Sequence, residues 1–475
     1  MTIRRSGVAL RRVASFLKKR PTLAERLAAG RSLRVAVPLA RHAQLKPQDR
    51  RATPVEILRE QAHARHPALI PIRHARMLQS AFSFYRGGAA IMAMDLDHTP
   101  RTNIQVQLCG DMHLGNFGFF ATSEHRLVFG INDLDETLPG SWEWDIKRLA
   151  ASAAIASRSL GKDRAHEELC VRRVVESYRR HMFQYAHMGY RELSQQFIDQ
   201  KAIAAVIRRE HLSGDVSRHL STMIRKSRLS SNLQALEKLT DLVDKDRRII
   251  DNPPLVEHLE VGRLGVPVVS MINDGLISYR DSLLTDRRQL LERYRLVDYA
   301  RKVVGVGSVG TSCWLLYLEG LDEKDPLFLQ YKQASESVLA PYLGASIYKS
   351  QGHRVAAGQR LLQGAPDIFL GYGEVQKIHF YIRQLRDMKG GIRIGPEGIG
   401  ARQLPSYCML FGMALALGHA RSGEPALIAG YLGQSEKFDD AMVRFSRKYA
   451  DLNQKDYEAF SRAIRAGELP VSEVF

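Results

Sequence analysis

The residues with the most chemistry in their spacing lie between Leu108 and Leu149. They read G-D-M-H-L-G-N, then I-N-D-L-D-E-T, then W-E-W-D-I-K-R-L. Ile104, Val106 and Leu108 alternate as a strand does and deliver Gly110 and Asp111 into a turn, with Asn116 five positions on. A second apolar run, Leu127 to Ile131, delivers Asn132, Asp133 and Asp135. Two strands ending this way would set carboxylate and amide oxygens along one edge of a sheet. A hard cation such as Mg²⁺ takes such oxygens and keeps other positions for water and phosphate. Asp and Asn also occur in plain turns, where they hydrogen-bond their own backbone. The full order, G-D-x-H-x-x-N, strand, D-x-D and a later Asp145 at a helix start, goes beyond turn chemistry and points to a metal–phosphate site.

The chain must position these groups with 475 residues, 45% of them hydrophobic and 25% charged, which suits a folded protein of several domains. No apolar run approaches the ~18 residues that cross a bilayer. The basic N-terminus lacks the apolar core and small-residue site of a signal peptide, so a cytoplasmic location is expected. Cys109, Cys170, Cys313 and Cys408 lie far apart without a C-x-x-C pair and read as reduced core residues. A formal net charge of +18 implies affinity for something acidic. Nucleic acid, anionic lipid and a phosphorylated small molecule are the candidates, but much of the excess sits in the first fifty residues and the rest on helix faces, so specific nucleic-acid binding is a weak expectation.

Five stretches differ in character. Residues 1–50 read as a basic, loosely docked arm broken by Pro21, Gly30 and Pro38. Residues 51–250 are largely helical around the acidic loops; Arg86, before a glycine pair, could reach a phosphate, with a surface-exposed or carboxylate-paired arginine the equal alternative. Residues 251–294, opened by the D-N-P-P stop, form a connector with no clear period. Residues 295–400 turn to β-branched and aromatic runs, and 401–475 return to helix. His419, ending an apolar helix, reads as a core or capping residue rather than a ligand.

Within 295–400, K-V-V-G-V-G-S-V-G-T-S-C-W-L-L-Y-L-E-G is followed by a turn and then L-F-L-Q-Y-K. Gly305, Gly307 and Gly310 form G-x-G-x-x-G. A dinucleotide site requires a helix directly after these glycines, but C-W-L-L-Y-L-E is strand-like. A kinase-type loop has strands on both sides and a lysine on the third, the place held by Lys332. An ordinary hairpin with an exposed lysine is the competing reading. Arg383 and Lys389, after a strand and beside a glycine-rich loop, are possible helpers.

The acidic stretch is similar to the catalytic loop of aminoglycoside- and choline-kinase-like phosphotransferases, whose pattern is H-G-D-x-H-x-x-N, an apolar strand ending I-D-[FW]-D, and a D-[IL] helix start. Cys109 stands where that pattern has its first histidine. The resemblance implies Asp111 as the catalytic carboxylate, Asn116 and Asp133 as Mg²⁺ ligands with Asp135 as an extra one, and Asp145 as a brace of the loop. With Gly305, Gly307, Gly310 and Lys332 on the phosphates of ATP, it implies an α+β, kinase-like, two-lobed fold. The glycine loop follows the catalytic loop here, so the lobe order would be circularly permuted, with helix 405–421 leading into the catalytic loop.

The chain also resembles the bacterial Domain of Unknown Function 2252 family. That resemblance is carried by blocks such as G-D-M-H-L-G-N-F-G, W-E-W-D-I-K-R-L-A-A-S, K-V-V-G-V-G-S-V-G-T and R-Q-L-R-D-M-K-G. In the family pattern the position after this lysine is often acidic, whereas this chain has Gln333.

The expected reaction is Mg²⁺-ATP-dependent phosphoryl transfer to a hydroxyl of unknown identity. Three readings compete. A nucleotide-binding sensor or adaptor without turnover would use the same fold. A metal-dependent phosphoesterase would share D-x-H (Asp111, His113) but needs more nitrogen ligands than this chain offers. A basic nucleic-acid binder would show steep salt dependence.

Overall fold

The computed structural model describes residues 17–244, 246–260, 267–303, 305, 309–385, 388 and 390–472. The protein is a mixed α+β fold in which a core of packed helices with a four-stranded sheet, and a six-stranded sheet backed by its own helices, meet at a cleft lined by Asp111 and Gly305.

The helical side is built around Glu143–Ser159 and Leu404–Ser422. The first buries Ala150, Ala151, Ala153, Ala154 and Ala156, small side chains that let neighbours approach closely. The second is apolar around most of its circumference, the pattern of a helix enclosed on all sides. Arg164–Ala186 packs between them, and the amphipathic helix Lys437–Arg465 closes the outside. All four cysteines are buried and unpaired, as their apolar flanks suggest.

The N-terminal stretch is docked rather than loose from Leu23 onward. Helix Leu23–Ser32 crosses Pro425–Leu432 at backbone contact, where a Cβ on Gly30 would lie 2.1 Å from the Leu427 carbonyl oxygen. Arg50 then spans Asp95 and Asp456 with paired hydrogen bonds of 2.6–2.8 Å. Glycine at the crossing and a bidentate arginine supply the anchoring that composition alone hides. Residues 1–16, which carry part of the basic cluster, lie outside the described residues.

The large sheet runs, edge to edge, Gly371–Val375, Ile378–Gln384, Pro326–Gln333, Cys313–Glu319, Arg295–Lys302 and Val256–Glu257, all neighbours antiparallel. Arg295–Lys302, Cys313–Glu319 and Pro326–Gln333 form a meander with the glycine segment between the first two strands. Helix Gln351–Gln363 comes next, and the strand Ile378–Gln384 inserts beside Pro326–Gln333. The 251–294 stretch is more than a connector: helix Val268–Ser282 buries Val268, Ile272 and Tyr279 against Trp314, Leu316 and Phe380 of this sheet. Among residues 201–243, expected to be helical, a hairpin of Thr240–Val243 with Asp246–Ile249 follows the helices.

The acidic stretch does not lie along one sheet edge. Gln105–Leu108 pairs with Leu138–Ser141, while Leu127–Ile131 belongs to a separate four-stranded sheet beside Phe117–Ala121. Phe117–Ala121 returns the chain immediately after Asn116, so the two acidic turns meet face to face.

Candidate active site

Asp145 organises the first acidic turn. From the first turn of helix Glu143–Ser159 it accepts the backbone N–H groups of Cys109 (2.6 Å) and Gly110 (3.0 Å). A carboxylate near a helix N-terminus is favoured by the helix dipole. His419 lies 3.2 Å from the same carboxylate through Nε2 and 2.8 Å from the Tyr178 hydroxyl through Nδ1. It is fully buried and supports the brace, in keeping with its expected core role. Gly110 itself has φ +86°, and a Cβ there would stand 2.5 Å from the Glu136 carbonyl oxygen.

Asn116 joins the two turns. Its Nδ2 donates to the carbonyls of Asp133 (2.8 Å) and Asp111 (3.2 Å), and its Oδ1 accepts from the Asp133 N–H at 2.7 Å. One side chain thus fixes Asp111 and Asp133 relative to each other. Oδ1 retains its second lone pair.

Asp111 is held by Arg148, one turn after Asp145. Arg148 donates to Asp111 Oδ1 from Nε at 3.0 Å and from Nη2 at a shorter contact, and its guanidinium lies over the Tyr85 ring. Burial would discourage charge on Arg148, but Asp111 and Tyr85 outweigh it and keep the guanidinium charged. The other oxygen, Oδ2, is 3.8 Å from His113 Nε2. Burial pushes the His113 imidazole down to about 3 against the pull of Asp111, so the ring is neutral, and its Nδ1 has no hydrogen-bond partner among the described residues.

The second constellation meets the first across the cleft. Lys332, on the third strand of the meander, is buried and bonds Asp135 Oδ2, with Asp133 Oδ2 at 3.6 Å. Burial would lower its pKa; the two carboxylates outweigh that and raise it well above the ordinary lysine range. Asp135 also accepts the Tyr381 hydroxyl at 2.7 Å, so both its oxygens are engaged by protein groups and it is first of all the lysine's partner. Gln333 exchanges hydrogen bonds with Ser312 (2.8 and 3.1 Å), tying the end of the glycine segment to the strand instead of pairing with Lys332. Arg383 is buried behind the site, bonded to Gln330 and to the Asn132 carbonyl, where it braces the second acidic turn.

Gly305, Val309 and Gly310 of the glycine segment are pinned to the helical side. Gly305 (φ +60°) accepts from Arg76 at 2.5 Å, Gly310 (φ +94°) accepts from the His66 N–H at 2.7 Å, and Arg65 bonds the Val309 carbonyl. Gly307 and Lys389 lie outside the described residues. A cavity of about 250 Å³ is lined by Asp111, His113, Asn116, Asp133, Asp135 and Gly305, with Arg86, Arg65 and Glu136 also on its wall. Arg86 makes no ion pair or hydrogen bond with a described residue, and its Nε is buried without a partner.

The donor set fits a cation that arrives with its own phosphates. Asp133 offers a carboxylate, 44% exposed and on the cavity wall, and Asn116 an amide oxygen beside it. Mg²⁺ characteristically takes one or two carboxylates and completes its octahedron with phosphate and water. Among the described residues no three His, Cys, Asp or Glu side chains converge to form a closed metal cage.

Sequence reasoning missed Arg148, Glu136 and the Tyr381–Asp135 bond. Arg148 did leave a signal: K-R inside an alanine-rich helix puts charges where every face is buried, and a buried charge requires a partner.

The chain belongs to the bacterial family described as an uncharacterized protein conserved in bacteria, Domain of Unknown Function 2252, whose model matches residues 65–463. No curated protein and no solved structure matches it.

Proposed function

We propose that this family member is a kinase-like phosphotransferase that moves the γ-phosphoryl group of ATP to a hydroxyl. One observation carries the reading. Lys332 meets Asp133 and Asp135, about 200 residues earlier in the chain, and Gly305 lines the same cavity as Asp111. Phosphoryl transfer rests on positioning and charge stabilisation, and these groups have the required types. Asp133 and Asn116 would hold Mg²⁺, which spreads the negative charge of the phosphates when bound. Lys332 and the glycine segment would hold the phosphates themselves, with Arg86 a further cation on the wall. Asp111 would orient the acceptor hydroxyl through Oδ2. The acceptor oxygen bonds the γ-phosphorus as the bridging P–O bond breaks, ADP leaves, and the hydroxyl proton passes to Asp111 and on to solvent.

The strand order supports the kinase-like reading, since that lobe carries its glycine loop between the first two strands and its lysine on the third. A permuted order is supported at the other end. Helix Leu404–Ser422 finishes against the first catalytic strand, with the Ser422 hydroxyl accepting the Gln107 N–H at 3.1 Å. One feature departs from protein kinases, in which a helix glutamate pairs the lysine. Helix Gln351–Gln363 has no acidic residue, and Asp135 takes that part.

Calorimetric titration with Mg²⁺-ATP tests the proposal. Binding that requires Mg²⁺ and disappears in both Asp133→Asn and Lys332→Met is expected. No binding by folded wild-type protein would sink it. A sensor without turnover is the second reading, favoured by the grip of Arg148 on Asp111. For a sensor, Asp111→Asn would leave the biological role intact; for a kinase it would abolish it.

A further inference from the structure

A second, larger cavity of about 1240 Å³ adjoins the first, and Arg86 and Gly115 line both. Among the described residues its wall carries Arg86, Lys226, Lys238, Lys302 and Arg393 and no acidic side chain. Among the described residues Lys226 and Lys238 make no ion pair, and Arg393 pairs with Glu397 alone, which is not on the wall. Elsewhere in the molecule many arginines are matched by carboxylates, as Arg50, Arg158, Arg172 and Arg179 are. Clustered cations around a concave surface raise the local concentration of anions.

The rest of the wall narrows the chemistry. Among the described residues hydroxyls and amides such as Ser83, Ser230 and Gln234 are mixed with apolar side chains such as Leu160, Met223 and Leu385, and Phe82 is the one aromatic side chain. Recognition of unpaired bases relies on several rings for stacking. A hydroxyl-rich anion matches this wall better than a base does.

We infer that this cleft is the acceptor site and that the acceptor is a soluble phosphorylated polyol, such as a sugar phosphate. Its phosphate would lie among Lys226, Lys238 and Arg393, and a hydroxyl would reach Asp111 past Arg86 and Gly115. This inference rests on the phosphotransferase reading for the transfer step, but the anion-binding step stands apart from it.

The test uses full-length protein without nucleotide, titrated calorimetrically with glucose 6-phosphate, glycerol 3-phosphate and myo-inositol 1-phosphate beside glucose, glycerol and myo-inositol. Vesicles containing phosphatidylinositol form the lipid arm. At least one phosphorylated compound should bind more tightly than its parent. The exposed-lysine variant Lys226→Ala/Lys238→Ala should weaken that binding about tenfold while leaving Mg²⁺-ATP binding within about twofold. Equal binding of parents and phosphates, or an indifferent double variant, would overturn the inference. So would vesicle binding without binding of soluble phosphates, or loss of ATP binding in the double variant, which would give the cleft to the nucleotide. Sugar-phosphate binding without any Mg²⁺-ATP binding in wild type would instead remove the phosphotransferase reading and leave the anion cleft standing.

Discussion

Replacing Lys332 with methionine keeps most of the buried stem and deletes the ammonium between Asp133 and Asp135. At the 3.6 Å separation from Asp133, Coulomb attraction is about 4–5 kcal/mol at an effective dielectric of about 20. The lysine side chain is 2% exposed but the carboxylates are 44% and 27% exposed, so water recovers much of that energy. Breaking a fully buried pair costs about 3–5 kcal/mol; with the carboxylates half in water, about 2–3 kcal/mol is expected here. Asp135→Asn should cost less, about 1–2 kcal/mol, because it also keeps an acceptor for Tyr381. In the double variant the costs should fall short of their sum by about 1–2 kcal/mol, read from urea unfolding of all four proteins. Additivity within about 0.5 kcal/mol would refute the claim that the six-stranded sheet and the second acidic turn are joined through this pair.

Other consequences are open to the same approach. Asp145→Asn leaves a backbone N–H of the Cys109–Gly110 turn facing an amide or unbonded, a loss of about 2–4 kcal/mol that thermal unfolding would register. Gly110→Ala combines positive φ with a 2.5 Å clash on Glu136, and its melting curve should show a similar loss, about 2–4 kcal/mol. Burial lowers His74 and His181 to about 4, so both are neutral in the native state and take up protons on unfolding below about pH 6.5. Stability should therefore fall as pH drops from 7 to 5.5, by about 2 kcal/mol for the two together. His113 and His42, also lowered by burial, add to the fall, so the variant His74→Gln/His181→Gln should lessen the slope without abolishing it, and an unchanged slope would assign it to other groups. Gly115→Val should narrow the passage between the cavities, where a Cβ would stand 3.3 Å from His113, and slow transfer while Mg²⁺-ATP still binds.

The acidic turns, the meander and its lysine were legible because each rests on local pattern: apolar alternation into turn residues, and glycines between two β-rich runs. Their meeting was only implied by resemblance, because pairing across about 200 residues leaves no periodic trace. The strand Phe117–Ala121 was hidden in the glycine-rich G-N-F-G-F-F and formed because Leu127–Ile131 supplies its partner. Docking of residues 23–50 was also illegible: it depends on Gly30 meeting Leu427 and on Arg50 finding Asp95 and Asp456, contacts that only tertiary structure brings together. Arg148 was readable in principle, as a charge on an enclosed helix, but its partner Asp111 was not.

The most direct test of the central claim is a crystal structure of the protein with Mg²⁺ and a non-hydrolysable ATP analogue. The account predicts the metal on Asp133 and Asn116, with the phosphates between Lys332 and the Gly305–Gly310 segment and the γ-phosphate facing Asp111. A nucleotide bound away from this cavity, or a metal held without Asp133, would contradict it.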